Sequence, residues 1–305
     1  MTPRLLKAVT AAVFAVACAF LLVAGPVVAQ PSAPVIPDRA TPPLWVVEKD
    51  GKKLFLFGSI HLMPPQTQWR HEEISQALAA SQVFVFEAPL DHAGTQMSRF
   101  VEKDGKLQDG RSLKDVVPEE VYADLETAAW RVQCSPKMFQ PFRPWMAAVY
   151  LELCSYIKAG FSRYFGVDQV IEQEALSRGA ALAYFETVEE QLSYFAALDR
   201  KTEAAYLRST VHGVLEDPDL PYKLLSAWSS GNSDELAKFV DDGFKDVPVL
   251  KSQLLVARNR KWVVRIKEML ESEHPHFVTV GVGHLVGKDS VVSMLRAKGF
   301  KVTGP

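Results

Sequence analysis

The chain has 305 residues, of which 48% are hydrophobic and 23% charged, and its formal net charge is −2 at pH 7. This is ordinary globular composition, with enough apolar side chain for a sizeable core. No Lys/Arg-rich run is present and the balance is slightly acidic, which argues against a protein that binds nucleic acid or anionic lipid.

The first 29 residues have the pattern of a secretory signal peptide. Arg4 and Lys7 form a positive start, residues 8–23 are almost wholly apolar, and Ala29 closes a stretch of small residues suited to cleavage. We therefore predict export to the periplasm or the extracellular space, with no stable membrane span after cleavage. The apolar run is long enough to approach a transmembrane span, so a retained anchor is the alternative.

Residues 30–43 form a proline-rich tether before the folded part. The prolines are Pro31, Pro34, Pro37, Pro42 and Pro43. Because proline lacks a backbone N–H and its ring fixes φ, this stretch suits neither a helix nor a central strand. We predict a single folded domain over residues 44–303.

The folded part starts with a predicted β-hairpin. Leu44–Glu48 and Lys53–Phe57 are rich in residues that favour strands, and Asp50-Gly51 between them is a typical hairpin turn. A helix is expected around Glu72–Ser81. The next strand, Gln82–Glu87, contains the continuous apolar run Val83–Phe86, as expected for a strand covered on both faces.

A large helical insertion is predicted over about residues 112–243. Within it, Trp145–Ile157 is apolar but short for a membrane span, so a buried helix is favoured. Ala181–Glu186 interrupts the helices as a further strand. Cys134 and Cys154 could form a disulfide in an oxidising compartment. The alternative is that Cys154 is simply a small buried side chain.

The chain ends with four predicted elements: the helix Val249–Ser272, the strand Phe277–Val280, the helix Ser290–Lys298 and the strand Phe300–Val302. Strands that alternate with helices at both ends of the chain predict an α/β fold. We expect a central, partly parallel sheet flanked by helices, with the large helical insertion and the N-terminal hairpin as additions.

The first of these four elements carries two polar residues at its apolar stripe. Asn259 falls between Leu255 and Trp262, and Arg258 flanks it. Polar groups on a buried stripe need partners. For Asn259, a neighbouring backbone group is one such partner.

Two Gly-x-x-His turns, one ending at His61 and the other at His284, each directly follow an apolar β-type run. In open α/β sheets, ligands bind outside the carboxyl ends of the strands. Glu87 and Glu186 lie at the ends of two further predicted strands. Because adjacent strands are about 4.8 Å apart, these four side chains can converge.

Two imidazoles and a carboxylate form a three-ligand set for a catalytic divalent metal, here His61, His284 and Glu87. The metal would lower the pKa of its bound water toward about 7, and a second carboxylate such as Glu186 could act as general base. Without a metal, one imidazole oriented by a Glu could activate water for attack on an ester. The other histidines are interpreted as solvated or structural, namely His71, His92, His212, His274 and His276.

In combination and order, several segments resemble the TraB/GumN family, and the match extends over residues 44–302. The matching segments are Leu56–Leu62 with Pro64-Pro65, the strand ending in Glu87, Arg143–Trp145, Gly166–Asp168, Glu186–Gln191, Arg258–Trp262 and Val280–Gly287. Relatives of this family include the Tiki metalloproteases and, more distantly, erythromycin esterases and ChaN-like haem-binding lipoproteins.

The resemblance implies an α/β fold in which both Gly-x-x-His turns meet at one site. It implies that His61, Glu87 and His284 form the core of that site, with Arg258 and Asn259 as supporting residues. Relatives often carry Glu before the Arg-Asn pair, where this chain has Ala257. Tiki-like relatives are described as peptidases that depend on divalent metals, the esterases as metal-free, and ChaN-like proteins as haem binders.

The sequence therefore predicts an exported hydrolase that acts on a peptide or a small ester. The leading hypothesis is a peptidase that depends on a divalent metal (Mn, Co or Zn), with His61 and His284 as ligands and Glu87 as ligand or base. One alternative is a metal-free esterase in which His61 and Glu87 activate water. The other is a non-catalytic protein that binds haem or another small ligand.

Overall fold

The computed structural model describes residues 40–65, 67–89 and 94–305. The predicted signal peptide, most of the proline-rich tether and His92 lie outside the described residues. Among the described residues, no helix combines the length and the apolar character that crossing a bilayer requires.

Six strands form one mixed sheet in the order β4-β3-β5-β2-β1-β6. Their bounds are β1 Leu44–Lys49, β2 Lys52–Ser59, β3 Val83–Phe86, β4 Ala181–Tyr184, β5 His276–Gly281 and β6 Lys301–Thr303. Strands β4, β3, β5 and β2 are mutually parallel, whereas β1 pairs antiparallel with both β2 and β6. The predicted α/β fold with a partly parallel sheet is confirmed.

The predicted N-terminal hairpin is confirmed as β1 and β2. Leu44 pairs with Phe57, and the register continues to Lys49 opposite Lys52. The turn places Asp50 and Gly51 at φ 50° and 81°, which is the left-handed backbone that Asp-Gly hairpin turns need. The hairpin thus fixes where β2 lies, and β2 ends at the first Gly-x-x-His turn.

The middle of the sheet is fully buried. Every residue of β5 is buried, and β5 lies between the parallel strands β2 and β3. Strand β3, which pairs with β5, is a continuous apolar run rather than an alternating one, as expected for a strand covered on both faces. Phe277 on β5 contacts Phe57 on β2 and Phe84 on β3, so the aromatic core crosses three strands.

Twelve α-helices occur among the described residues. They are α1 Glu72–Ala80, α2 Gly94–Phe100, α3 Glu119–Arg131, α4 Pro144–Lys158, α5 Val167–Ser177, α6 Val188–Ala196, α7 Arg200–Glu216, α8 Leu220–Ser229, α9 Ser233–Phe244, α10 Pro248–Lys251, α11 Arg258–Glu271 and α12 Val291–Ala297. Helix α11 packs on β2, and α5 packs on β3 and β4.

The last long helix differs from its prediction in one respect. The expected single helix over Val249–Ser272 is divided into α10 and α11 by a π-helical segment, Ser252–Ala257. A π segment has no clear signature in the apolar periodicity, and such segments are frequent at functional sites. This one ends directly before Arg258.

Trp145–Ile157 forms a buried helix, α4, as predicted. Trp145 and Leu151 are fully buried, and α4 packs mainly against α7. Cys154 on α4 forms a disulfide with Cys134, which follows α3, and their Cα atoms are 6.3 Å apart. Of the two alternatives given for these cysteines, the structure contains the disulfide.

Removing this disulfide should destabilise the helical region, because the crosslink limits the conformational entropy of the unfolded chain. It spans 20 residues, so we expect C134A/C154A to lower the free energy of unfolding by about 3 kcal/mol. Urea unfolding without reductant measures this. The wild type in excess reductant should match the double variant, and identical midpoints for all three samples would contradict the prediction.

Candidate active site

The four polar residues predicted at strand ends converge in the structure. His61, Glu87, Glu186 and His284 follow β2, β3, β4 and β5, the four parallel strands. All four are buried, and His284 is 0% exposed. The carboxyl ends of parallel strands lie at one edge of the sheet, which is why residues distant in sequence meet there.

Both imidazoles of the Gly-x-x-His turns face the same oxygen. Nε2 of His61 lies 4.0 Å from Oε1 of Glu87, and Nε2 of His284 lies 3.9 Å from that atom. More than two hundred residues separate the two histidines in the sequence. The pairing of β2 with β5 brings them together, because Ser59 lies opposite Gly281 in that register.

Glu87 is held by three N–H donors. The backbone N–H of Gly281 donates to Oε1 at 2.7 Å. Gln191 and Arg258 donate to Oε2 at 2.9 Å and 2.7 Å. These contacts come from β5, α6 and α11, so the position of the carboxylate is fixed from three sides.

Arg258 is fully buried and joins the two carboxylates. Its Nε donates to both oxygens of Glu186, at 2.9 Å and 3.1 Å, while its Nη2 donates to Glu87. Burial acts to lower the pKa of Arg258, but Glu87 and Glu186 outweigh it and raise that pKa above its usual range. The guanidinium therefore stays charged.

Glu186 lies on the other side of this guanidinium. Nε1 of Trp262 also donates to Oε1 of Glu186, at 3.2 Å. Burial raises the pKa of Glu186 above its ordinary value; Arg258 acts to lower it and the charge of Glu87 acts to raise it.

The tautomer of His284 follows from its neighbours. Asn259 donates through Nδ2 to the carbonyl of Asp289, so its Oδ1 is the acceptor that lies 2.6 Å from Nδ1 of His284. Nδ1 therefore carries the proton, and Nε2 accepts from Nη1 of Arg258 at 3.1 Å. Burial, with the charges of Arg258 and His61, holds the pKa of His284 well below its usual range.

His61 is oriented by a carboxylate that the sequence reasoning did not select. Its Nδ1 lies 3.0 Å from Oδ1 of Asp168, in the first turn of α5. The close approach of this segment requires Gly166, because a Cβ there would lie 2.1 Å from the carbonyl oxygen of His61. In the sequence, the Gly166–Asp168 segment stood out only as part of the family resemblance. That resemblance was the one signal from which Asp168 could have been selected as a site residue.

Two further residues of the site were missed. Gln191 reaches Glu87, and the ring of Trp262 lies 4.3 Å from the ring of His284. Both belong to segments that carry the resemblance. Asn259 donates to the backbone carbonyl of Asp289, the kind of partner expected for it, and its Oδ1 also contacts Nδ1 of His284.

The predicted metal set of His61, His284 and Glu87 has suitable donor types, but its arrangement here does not fit a metal. Within residues 40–65, 67–89 and 94–305, no group of three or more His, Cys, Asp or Glu side chains is placed to hold a metal ion. Two ligand atoms that share one metal through bonds of about 2.1 Å lie about 3.0 to 3.4 Å apart, whereas each Nε2 lies 3.9 Å or 4.0 Å from Oε1 of Glu87. Arg258 also donates to two of the three residues.

Comparison with known proteins identifies the family. The sequence profile of the TraB/PrgY/gumN family matches residues 43–304. The chain belongs to the TraB/PrgY/gumN family. The site residues described above all lie within the matched region, and the resemblance noted from the segments is confirmed.

Two relatives illustrate the range of the match. Metalloprotease TIKI1 of Danio rerio is 24% identical over 85% of this chain and 62% of its own length, so the chain spans about three fifths of that relative. Uncharacterized protein YbaP of Escherichia coli (strain K12) is 22% identical over 84% of this chain and 92% of its own length. No solved structure matches the chain significantly.

The buried, neutral His284 should make the protein sensitive to acid. Because the pKa of His284 is lower in the folded state than in the unfolded chain, the unfolded state takes up the proton first once the pH falls below about 6.5. The contribution of His284 to the free energy of unfolding is therefore fully present above that pH. Below it, the free energy of unfolding falls by up to about 1.4 kcal/mol per pH unit. Urea unfolding between about pH 7 and pH 5 measures this loss.

We expect H284Q to have a shallower dependence of stability on pH. The slope should not vanish, because burial also lowers the pKa of His276. Equal slopes for wild type and H284Q would contradict the prediction.

Proposed function

We propose that this chain is a hydrolase that cleaves a peptide or ester bond at the cluster of His61, Glu87 and His284. The observation that supports this most directly is the placement of both Nε2 atoms within 4.0 Å of one oxygen of Glu87. An imidazole beside a buried carboxylate, at the ligand-binding edge of a parallel sheet, is suited to moving a proton between water and a leaving group.

His61 is the acid–base residue in this proposal. With Nδ1–H donated to Asp168, Nε2 carries the lone pair that can accept a proton from water. Water would attack the carbonyl carbon as Nε2 takes its proton, and the same nitrogen would return the proton to the leaving amine or alkoxide. Asp168 stabilises the imidazolium that forms in between.

His284 has a different task. Its Nδ1–H is committed to Asn259 and its Nε2 accepts from Arg258. A neutral imidazole with both nitrogens engaged positions its neighbours rather than exchanging protons. Arg258 places a permanent positive charge beside Glu87, and this charge favours the anionic species that form during hydrolysis.

The first version of this proposal is a metal-dependent peptidase, and its support comes from the family. The name of the zebrafish relative, Metalloprotease TIKI1, supports it, as do the donor types of His61, His284 and Glu87. We propose Mn, Co or Zn as the metal.

A metal-free esterase is favoured by one specific contact, the hydrogen bond from Arg258 to Nε2 of His284. That lone pair would be needed for a metal, and haem iron would meet the same obstacle at this nitrogen. We also propose that the protein is exported, on the basis of the signal pattern in residues 1–29.

Replacing His61 should abolish most of the activity. We expect H61A to lower kcat/KM by about 100-fold or more, because a positioned acid–base group contributes at least that factor. D168N should have a smaller effect, since it removes only the group that orients His61. Turnover of a fluorogenic peptide library and of p-nitrophenyl butyrate measures both bond types.

H212A is the matched control, because His212 lies on α7 and not at the cluster, and it should retain wild-type turnover. Each measurement is repeated in EDTA and after adding Mn²⁺, Co²⁺ or Zn²⁺. Activity that survives EDTA supports the metal-free form, and activity that is lost and restored by one ion supports the metal-dependent form. Equal turnover by wild type and H61A would contradict the proposed site.

A further inference from the structure

Arg258 uses all three of its nitrogens inside the site. Nε binds Glu186, Nη2 binds Glu87, and Nη1 donates both to Nε2 of His284 and to the carbonyl of Leu254. The distances run from 2.7 Å to 3.1 Å. The guanidinium is also 4.7 Å from the centre of the Trp262 ring. A fully buried cation with this many fixed partners cannot be displaced by a small local adjustment.

Two of these partners are residues that a metal at this site would need. A neutral imidazole offers one lone pair, and in His284 that lone pair is on Nε2, because Nδ1 carries its proton toward Asn259. The same lone pair accepts from Nη1 of Arg258. A divalent ion and the guanidinium therefore require the same atom of His284 and also share Glu87.

We propose that Arg258 is the resident cation of this site and that it competes directly with divalent metal for His284 Nε2 and Glu87. The inference rests on the proposed function for its location, but it concerns binding and not turnover. Arg258 acts here as a positioning residue. It holds His284 in one tautomer and Glu87 in one place.

The surrounding backbone supports this role. Leu254 lies in the π-helical segment Ser252–Ala257, and the carbonyl that Nη1 contacts is four residues before Arg258. Glu186 fixes the Nε side of the guanidinium at the end of β4. For a metal to bind, the guanidinium would have to leave Glu87 and His284 while Glu186 and the π segment still hold it.

Metal affinity of variants tests the competition. Zn²⁺ and Mn²⁺ are titrated separately into the full-length wild type, R258K and R258M, with binding measured by calorimetry. We expect R258M to bind at least one of the ions about tenfold or more tightly than the wild type, because a hydrogen bond to a charged group is worth at least that factor. R258K keeps the positive charge but loses the planar guanidinium with its several N–H donors. Its metal affinity should therefore increase less than that of R258M.

R265M is the matched control. Arg265 lies on the same helix and donates to the carbonyls of Tyr184 and Phe185, away from the imidazoles. It should leave metal affinity unchanged. The gain in R258M should disappear in R258M/H284A, which removes the contested lone pair. A residue that only stabilises the fold would not raise metal affinity when replaced.

The proposal is overturned if the wild type binds Zn²⁺ or Mn²⁺ through His61 and His284, as judged by H61A and H284A, with an affinity that R258K and R258M leave unchanged. If R258M does not fold, as judged by circular dichroism, R258K decides in the same way: a gain supports the competition and wild-type affinity overturns it. Absence of hydrolysis would count against the proposed function without altering these affinities, so the two failures are distinguishable.

Discussion

The site depends on one buried guanidinium. Arg258 pairs with two carboxylates that come from different strands, Glu87 after β3 and Glu186 after β4, and it donates to His284 after β5. Without this cation, two carboxylates would be buried next to each other with no compensating charge, which is costly in a low-dielectric interior. The convergence of the strand ends is therefore compatible with folding because a permanent cation lies between them.

Helices supply the side chains that orient the residues at the strand ends. The strand ends supply His61, Glu87 and His284, but the partners that orient them come from helices: Asp168 from α5 and Arg258 from α11. Gln191 and Asp168 lie within the region predicted as a helical insertion. That region is therefore part of the site, because it contributes hydrogen bonds to the centre of the cluster. The site forms only when α5 and α6 are packed in their positions against the sheet.

Much of the fold follows from local patterns. The Asp50-Gly51 turn predicted the hairpin, and the continuous apolar run of β3 predicted that strand. The stripe of the last long helix predicted a helix there, which the structure divides into α10 and α11. The convergence of His61 with His284 also followed, from the rule that ligands bind at strand ends. The π segment before Arg258 and the contact of Asp168 with His61 did not, because both depend on long-range packing. The hydrogen bond from Arg258 to Nε2 of His284, which conflicts with the predicted metal set, is of the same kind, since no sequence pattern specifies which lone pair a buried guanidinium occupies.

Burial is not uniform within the cluster. His284 and Arg258 are fully enclosed, Glu87 and His61 are slightly exposed, and the side chain of Asp168 is 14% exposed. Among these residues the exposed fraction is least at Arg258 and His284 and greatest at Asp168, on α5. Under the proposed function, a substrate would approach from the side of Asp168, which contacts His61, and Arg258 would lie deepest. This order suits a site in which His61 exchanges protons with solvent while the ionic cluster beneath it remains dry, where its charges are least screened.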